Sequence, residues 1–531
     1  MKWLFAANPG GGSLTDGSAE ARETLLSHPV KPRFVPDRKD SLFAIAAFVL
    51  GFFFVRWVFL AWQGWGVAVF TLAYGLTVAL YLTRKGAAIS RSGWFWLAAA
   101  SVVGVSYGLY DNRGLEPWRS LFLFCAAVYA VPSASGRLIL GRTGNWMLLD
   151  GINGVLVIPF RNFANQYKSL SAAVSIRGRL GKQLASVLFG LLLALGFSGM
   201  VLPLLMKADG GGFSMLVHGL YEYYSWARNQ FSDLIFQGML AIPVAAYIFG
   251  LTSGCAHDLG CKTFKPESVR NTLESLRVLL PATLYTTLGL TCILYGVFIG
   301  SQLPYFFSAF AGQRPEGWLV YSEYARSGFF ELCQIAAINL SLLVLANLFS
   351  KRPRQEDLFL KILNGLLAML TLLLIATAFS KMALYIGAYG LSMRRLLPCL
   401  FLIFLALVCI GVVLLQKWPF SILRFAAAAG TVMLCLLCLS NPDGLVANYN
   451  ADRYLSGTLE SFDVEILNRS GAAGVEPAIK VYRLTEDPWL KDALMAYINR
   501  QMEISAGMEG RTWDNLQNLR SRQTIREFMG E

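Results

Sequence analysis

The sequence predicts an all-α, polytopic transmembrane bundle of about eleven helices, and three observations carry that reading. Of its 531 residues 55% are hydrophobic and 15% charged, with a mean hydropathy of +0.50, whereas a soluble domain carries about 25% charged residues. The apolar residues gather into recurrent runs close to the ~20 residues that a spanning helix needs. Lysine and arginine collect between those runs in alternate loops, as the orientation of a membrane protein requires. A soluble core could not hide this much apolar surface, so the bilayer is its solvent.

The runs follow in order as Leu42–Leu60, Gly66–Leu82, Trp94–Leu109, Trp118–Pro132, Leu184–Leu205, Ile235–Leu251, Val278–Ile299, Phe329–Phe349, Leu363–Phe379, Leu396–Leu415 and Ile422–Leu439. Residues 1–41 read as an N-terminal tail without an apolar run long enough for a signal peptide, so the first membrane helix does the targeting. That tail brings Lys31, Arg33, Arg38 and Lys39, and the even-numbered loops up to the eighth are basic, with Arg84, Lys85 and Arg91 in the second and Lys351, Arg352, Arg354 and Lys361 in the eighth. The N-terminus and those loops are therefore expected in the cytoplasm, most simply beneath a bacterial inner membrane. The ninth loop disagrees, because Lys381, Arg394 and Arg395 fall on a side that should be outside.

The fourth loop, 133–183, is long and holds the apolar stretch Leu148–Phe160, which suits a helix lying in the interface. Residues 42–440 thus form the transmembrane domain. Composition changes after Leu439, and 441–531 reads as a polar, mainly helical C-terminal domain, extracytoplasmic if eleven helices precede it. Helical patterns run around Pro488–Met502 and Thr512–Met529, with proline suited to an opening turn and Thr512 expected as an N-cap. Asn441-Pro442-Asp443 reads as a helix stop and turn, and 441–455 as a loop beyond the membrane.

Three stretches are distinctive: Tyr321-Ser-Glu323-Tyr324-Ala-Arg326-Ser-Gly328-Phe329-Phe330-Glu331-Leu332; Ala388-Tyr389-Gly390-Leu391-Ser392 followed by Arg395; and Asn441-Pro442-Asp443 followed by Ala447, Tyr449, Asn450, Arg453, Tyr454 and Leu455. Together, over roughly residues 180 to 525, they resemble the bacterial multi-pass membrane family called domain of unknown function 4173, a relative of domain of unknown function 4153. The resemblance implies the membrane architecture and carries no activity with it.

Glu323, Arg326, Glu331, Arg395, Asp443, Asn450 and Arg453 form a candidate polar vestibule on the outer side. It reads either as a ligand or ion entrance or as structural ion pairs that set helix ends. Glu331 is expected to find a partner on another element, with Arg394, Arg395 and Arg453 on its side of the membrane. A second set, Arg56, Gln302, Asn339 and Asn364, lies within the spans. Intramembrane amides commonly bond neighbouring helices, and an arginine near a helix end reaches for the interface. Cys255, His257 and Cys261 carry metal-ligand chemistry but lack a second ligand pair, so no tightly held metal is expected.

There is no H-E-x-x-H or G-x-x-x-x-G-K-[ST] signature, and the three histidines, His28, His218 and His257, leave little for acid–base chemistry. No cofactor is implied, and an enzyme is the weaker expectation. The net charge of +13 is dispersed in topological clusters, which argues against nucleic acid. The expected partners are the lipid bilayer and proteins met through the C-terminal domain and the loop 133–183. The leading class is a non-enzymatic sensor, scaffold or accessory component of the cell envelope; a transporter or flippase is the alternative, and a membrane-embedded transferase the third.

Overall fold

A carboxylate that opens a membrane helix needs partners, and the first helix shows how the chain supplies them. The computed structural model describes residues 34–176, 190, 212–261, 263–264, 266–310, 329–352 and 356–530. Helix α1 (Arg38–Phe53) starts in a capping box, in which Asp37 accepts from the Asp40 N–H and Asp40 from the Asp37 N–H. It runs on through a π-helical turn, Phe54–Phe59. Asp40 is fully buried. Its Oδ1 accepts from the Tyr81 hydroxyl at 2.6 Å, lies 2.8 Å from Lys85 Nζ and is 3.1 Å from His257 Nε2. The N-terminus of α1 is thereby tied to the ends of α2 (Gly64–Arg84) and of the 45-residue α8 (Gly212–Ala256).

The remaining members of this first bundle are α3 (Arg91–Leu109) and α4 (Glu116–Ala134), with the short helices α5 (Met147–Ile152), α6 (Ile158–Arg161) and α7 (Asn165–Ile176) packed at the Asp40 end. Small residues let the backbones close up, which matters in hydrocarbon, where packing rather than water expulsion holds helices together. A Cβ on Gly51 would stand 2.7 Å from the Ala241 carbonyl of α8, and one on Gly104 would strike Thr71 of α2. The stretch 147–161 buries Asn153, Ile158 and Pro159 and leaves Leu148, Ile152, Leu156 and Phe160 exposed as a stripe.

After α9 (Pro266–Ser275) comes a second bundle: α10 (Pro281–Phe310), α11 (Phe329–Phe349), α12 (Leu358–Tyr389) and α13 (Met393–Lys417). Its core is Phe329, Leu332, Leu374, Ile375, Leu402 and Leu405 towards one end and Leu284, Leu288, Leu343 and Leu367 towards the other. Helix α14 (Ile422–Leu439) packs on α13 on one side and on α3 on the other, so it joins the bundles.

Beyond α14 the chain builds a cap of five helices: α15 (Pro442–Leu455), α16 (Val464–Ser470), α17 (Val475–Leu484), α18 (Pro488–Ala506) and α19 (Leu516–Met529). They close around Ala447, Leu467, Val475, Leu494, Ile498 and Ile525. The helix stop expected at Asn441-Pro442-Asp443 is present, since α14 ends at Leu439, but the loop expected over 441–455 is a helix from Pro442 on. Asn441 turns the chain in a left-handed conformation and its side chain accepts from the Gly444 N–H, so Pro442 enters as the first helical residue. Asn515, not Thr512, caps α19.

The all-α polytopic fold is thus present. Among the described residues nine helices are long and apolar enough to cross a membrane: Arg38–Phe59, Gly64–Arg84, Arg91–Leu109, Asp233–Ala256, Pro281–Ser301, Phe329–Phe349, Leu358–Tyr389, Met393–Lys417 and Ile422–Leu439. Of the two other expected spans, 184–205 lies, apart from Gly190, outside the described residues. The other became α4, which is not among the nine because Glu116, Arg119 and Pro132 dilute its apolar stretch.

Because Asp40 is fully buried where Tyr81, Lys85 and His257 converge, removing its carboxylate takes a partner from all three and leaves the nearly buried Lys85 with Asp37 alone. Breaking such a pair from one side costs ~3–5 kcal/mol. Asp40→Ala should therefore lower the melting temperature in detergent sharply, whereas Arg270→Ala, which breaks the exposed Arg270–Glu274 pair, should leave it unchanged. Equal melting of the two variants would show that the buried network does not stabilise the fold.

A candidate arginine-lined cleft where the cap meets both bundles

Spanning helices end in carbonyls that have no partner of their own, and at the cap side arginines supply the donors. Helix α12 finishes at Gly390, whose φ of +75° suits glycine and whose missing Cβ makes room for the Asn450 side chain. Asn450 of α15 then bonds Leu391 both ways: its Oδ1 accepts from the Leu391 N–H and its Nδ2 donates to the Leu391 carbonyl, each at 2.7 Å. Arg453 donates to the carbonyls of Ile386 at 3.2 Å and Gly387 at 2.7 Å. Arg395 donates to those of Tyr389 at 2.8 Å and Gly390 at 2.5 Å while lying over the Tyr385 ring. On the other bundle the buried Arg119 does the same after α3, donating to the carbonyls of Tyr110 at 3.2 Å and Asp111 at 2.8 Å.

The cap is fastened to the first bundle too. The Trp65 and Gly66 N–H groups, at the start of α2, donate to the carbonyls of Asp514 and Thr512 at 2.9 and 2.8 Å. Gln517 of α19 accepts from the Asp111 N–H and donates to Asn441 Oδ1, each at 3.1 Å. Asn112, held at a φ of +46°, reaches the Cys438 carbonyl at the end of α14 at 2.9 Å.

Between these fastenings opens a cleft of about 680 Å³ that all three parts line: Arg113 and Gly114 from the first bundle, Phe330, Arg394 and Leu397 from the second, and Asp443, Ile466 and Arg469 from the cap. Asp443 is 2% exposed. Its Oδ2 accepts from the Gly114 N–H at 3.3 Å. Burial, aided by the nearby Asp111, outweighs Arg113 and Arg119 and lifts its carboxyl to about 6. The cleft therefore combines arginine side chains, an apolar floor and an acid able to hold a proton close to neutrality.

The structure brings Arg395, Asn450 and Arg453 together at the α12–α13 turn and places Asp443 in the adjoining cleft. Glu323 and Arg326 lie outside the described residues. Glu331 is exposed on α11, and among the described residues no ion pair joins it to Arg394, Arg395 or Arg453. The last two are occupied by helix-end carbonyls, and the cation that feels Glu331 is Lys381 of α12.

Asn339 is buried, accepting from the Tyr295 hydroxyl at 2.7 Å and donating to Thr371 at 3.0 Å. Asn364 donates to Asn347 at 3.2 Å. Arg56 is exposed on the π-helical turn ending α1. Gln302 falls within α10, and its side chain lies outside the described residues. Cys255 and Cys261 are buried, but His257 turns away from them to Asp40. Among the described residues no group of three or more histidine, cysteine or acidic side chains is placed to hold a metal.

Residues 97–481 match the family model described as Domain of unknown function (DUF4153). The chain belongs to the DUF4153 family. The match runs from within α3 to within α17 and takes in every residue named on the cleft, whereas Asp40, Tyr81 and Lys85 fall before it. No curated protein and no solved structure matches the chain.

Two measurements check this geometry. Asn450→Ala removes both bonds to Leu391 and should speed amide hydrogen exchange across 386–391 and 442–455 while leaving α1 and α8 protected; unchanged exchange would show that Asn450 does not hold the cap. Asp443 binds its proton more tightly in the folded chain than in the unfolded one. Its burial costs nothing below the ordinary carboxylate value of 3.8, and the cost accumulates as pH rises to about 6, reaching ~3 kcal/mol above that. Asp443→Asn keeps an acceptor for Gly114 and should melt several degrees above the wild type at pH 7.5, the difference vanishing towards pH 4.

Proposed function

We propose that the protein is a non-enzymatic component of the cell envelope, a sensor or accessory subunit whose cap clamps two helix bundles and responds to what enters the cleft between them. One observation carries this reading: the cap is bonded through main-chain groups to both bundles, at Trp65 and Gly66 on one and at 386–391 on the other, and the cleft sits at that joint. A ligand touching all three walls would favour one arrangement of the bundles over another, which is the thermodynamic requirement for signalling. The transport reading draws less support, because the buried amide of Asn339 is occupied by bonds to Tyr295 and Thr371.

The reading includes an orientation: N-terminus in the cytoplasm, cap outside, in a bacterial inner membrane. The basic even-numbered loops support it. The dissenting ninth loop weighs less than its charge suggests, because Arg395 is held by the α12 carbonyls. Within the wider family group, the resemblance of the motifs at 321–332, 388–395 and 441–455 to domain of unknown function 4173 supports reading the chain as a relative of it.

A C-terminal alkaline phosphatase fusion should be active and a C-terminal green fluorescent protein fusion exported by the same route dark; the reverse pattern would put the cap inside. In cells lacking the gene, the wild-type chain should restore envelope-stress resistance. The paired change Asn450→Ala and Arg453→Ala, present at equal abundance, should not. Full restoration by the unfastened variant would refute the clamp.

A further inference from the structure

The first turn of α13 is electrostatically unusual. A helix N-terminus carries about half a positive charge and favours acidic neighbours. Here the first turn carries Arg394 and Arg395 and no acid, and Ser392, at the N-cap, makes no side-chain capping bond. The Met393 and Arg394 N–H groups have no acceptor among the described residues, whereas those of Arg395 and Leu396 both reach the Ser392 carbonyl. Two cations at a positive pole repel it and each other unless something negative answers them. Arg395 is answered by the carbonyl end of α12. Arg394 is exposed, lines the cleft and forms no ion pair or hydrogen bond among the described residues.

The opposite walls repeat the pattern. Arg113 pairs with Asp111 through its Nε at 2.6 Å, and Arg469 with Glu465 through its Nε at 3.2 Å, which leaves the terminal guanidinium nitrogens of both without a partner among the described residues. Asp443 is buried against the cleft, and its Oδ1 has no partner there either. Below about pH 6 its carboxyl keeps a proton and can donate to an oxyanion, and the charged groups acting on it are Asp111, Arg113 and Arg119.

We propose that the cleft is a seat for a phosphate ester, with Arg394 and the free N–H groups opening α13 on one wall and the guanidinium ends of Arg113 and Arg469 on the others. Guanidinium groups and helix N-termini are the two recurrent phosphate holders in proteins, and here both face one cavity. Its floor of Phe330, Met393, Leu397, Pro398, Val446 and Ile466 suits the start of an apolar chain. The same phosphate chemistry could arrive on a lipid headgroup or on a soluble molecule. This inference rests on the clamp reading for its meaning, but binding is tested independently of it.

The full chain is reconstituted in phosphatidylcholine nanodiscs, and its melting is followed with inorganic phosphate, with pyrophosphate, and with phosphatidic acid mixed into the disc. A shift with the soluble anions assigns a soluble ligand, and a shift with phosphatidic acid alone assigns a headgroup; either supports the seat. Arg394→Gln removes no internal bond, so the variant should fold as the wild type does and bind at least about tenfold more weakly, as expected for losing one charge-assisted contact. Arg483→Gln, on α17 and away from the cleft, serves as control and should bind normally. No shift with any probe, or a shift that survives Arg394→Gln and Arg113→Gln together, overturns the seat. Binding that leaves hydrogen exchange at 386–391 and 442–455 unchanged upholds the seat and refutes the clamp.

Discussion

The two-way bond between the Asn450 carboxamide and the main chain of Leu391 is the contact on which the cap's seat on the second bundle depends. It fixes α15 against the turn between α12 and α13, and everything in the cap is packed on α15 or on its neighbours. A carboxamide can do this because it offers a donor and an acceptor in one plane, matching a peptide group edge to edge. The Arg453 and Arg395 guanidinium groups complete the closure of the α12 terminus, so its last carbonyls meet side-chain donors instead of ending without partners.

The same economy of partners governs the opposite end. There Asp40 gathers Tyr81, Lys85 and His257, and one buried charge sets the relative heights of α1, α2 and α8. Between the two ends the helices rely on small residues and a few amides. The molecule thus holds its polar chemistry at its two faces and its shape complementarity between them, which is the division that a bilayer imposes.

Much of this was legible in the sequence, and the rest was hidden for definite reasons. Length and apolarity alone located nine of the eleven expected spans, because a helix that satisfies its own backbone is almost the only solution in hydrocarbon. Asp443, Asn450, Arg453 and Arg395 stood out as polar residues beside apolar runs, and the structure brings them to one region. Their roles were not legible. Charge suggested that the arginines would seek Glu331, but the carbonyls ending α12 are nearer and equally in need of donors. Arg113 and Arg469 lie 356 positions apart, in segments that look like ordinary loop and helix surface. Asp40 and His257 are separated by 217 positions, and Asp40 sits where the sequence reads as a tail. Such pairings depend on which helices become neighbours, and periodicity along one helix does not contain that information.

Helix α12 has 32 residues and α14 has 18, lengths of about 48 and 27 Å at 1.5 Å per residue. A hydrocarbon layer of about 30 Å matches the shorter helix and falls well short of the longer one. Unless α12 tilts steeply, it must stand proud of the layer by several turns. The end at Tyr389 is where its carbonyls are gripped by side chains. Surplus length at that end would work as a mast, lifting the α12–α13 turn out of the oily zone to a depth where arginine and asparagine can remain hydrated at their edges. Membrane thickness thereby becomes a variable of this protein, because a thicker layer would draw the turn, and the polar grip around it, towards a medium that solvates neither.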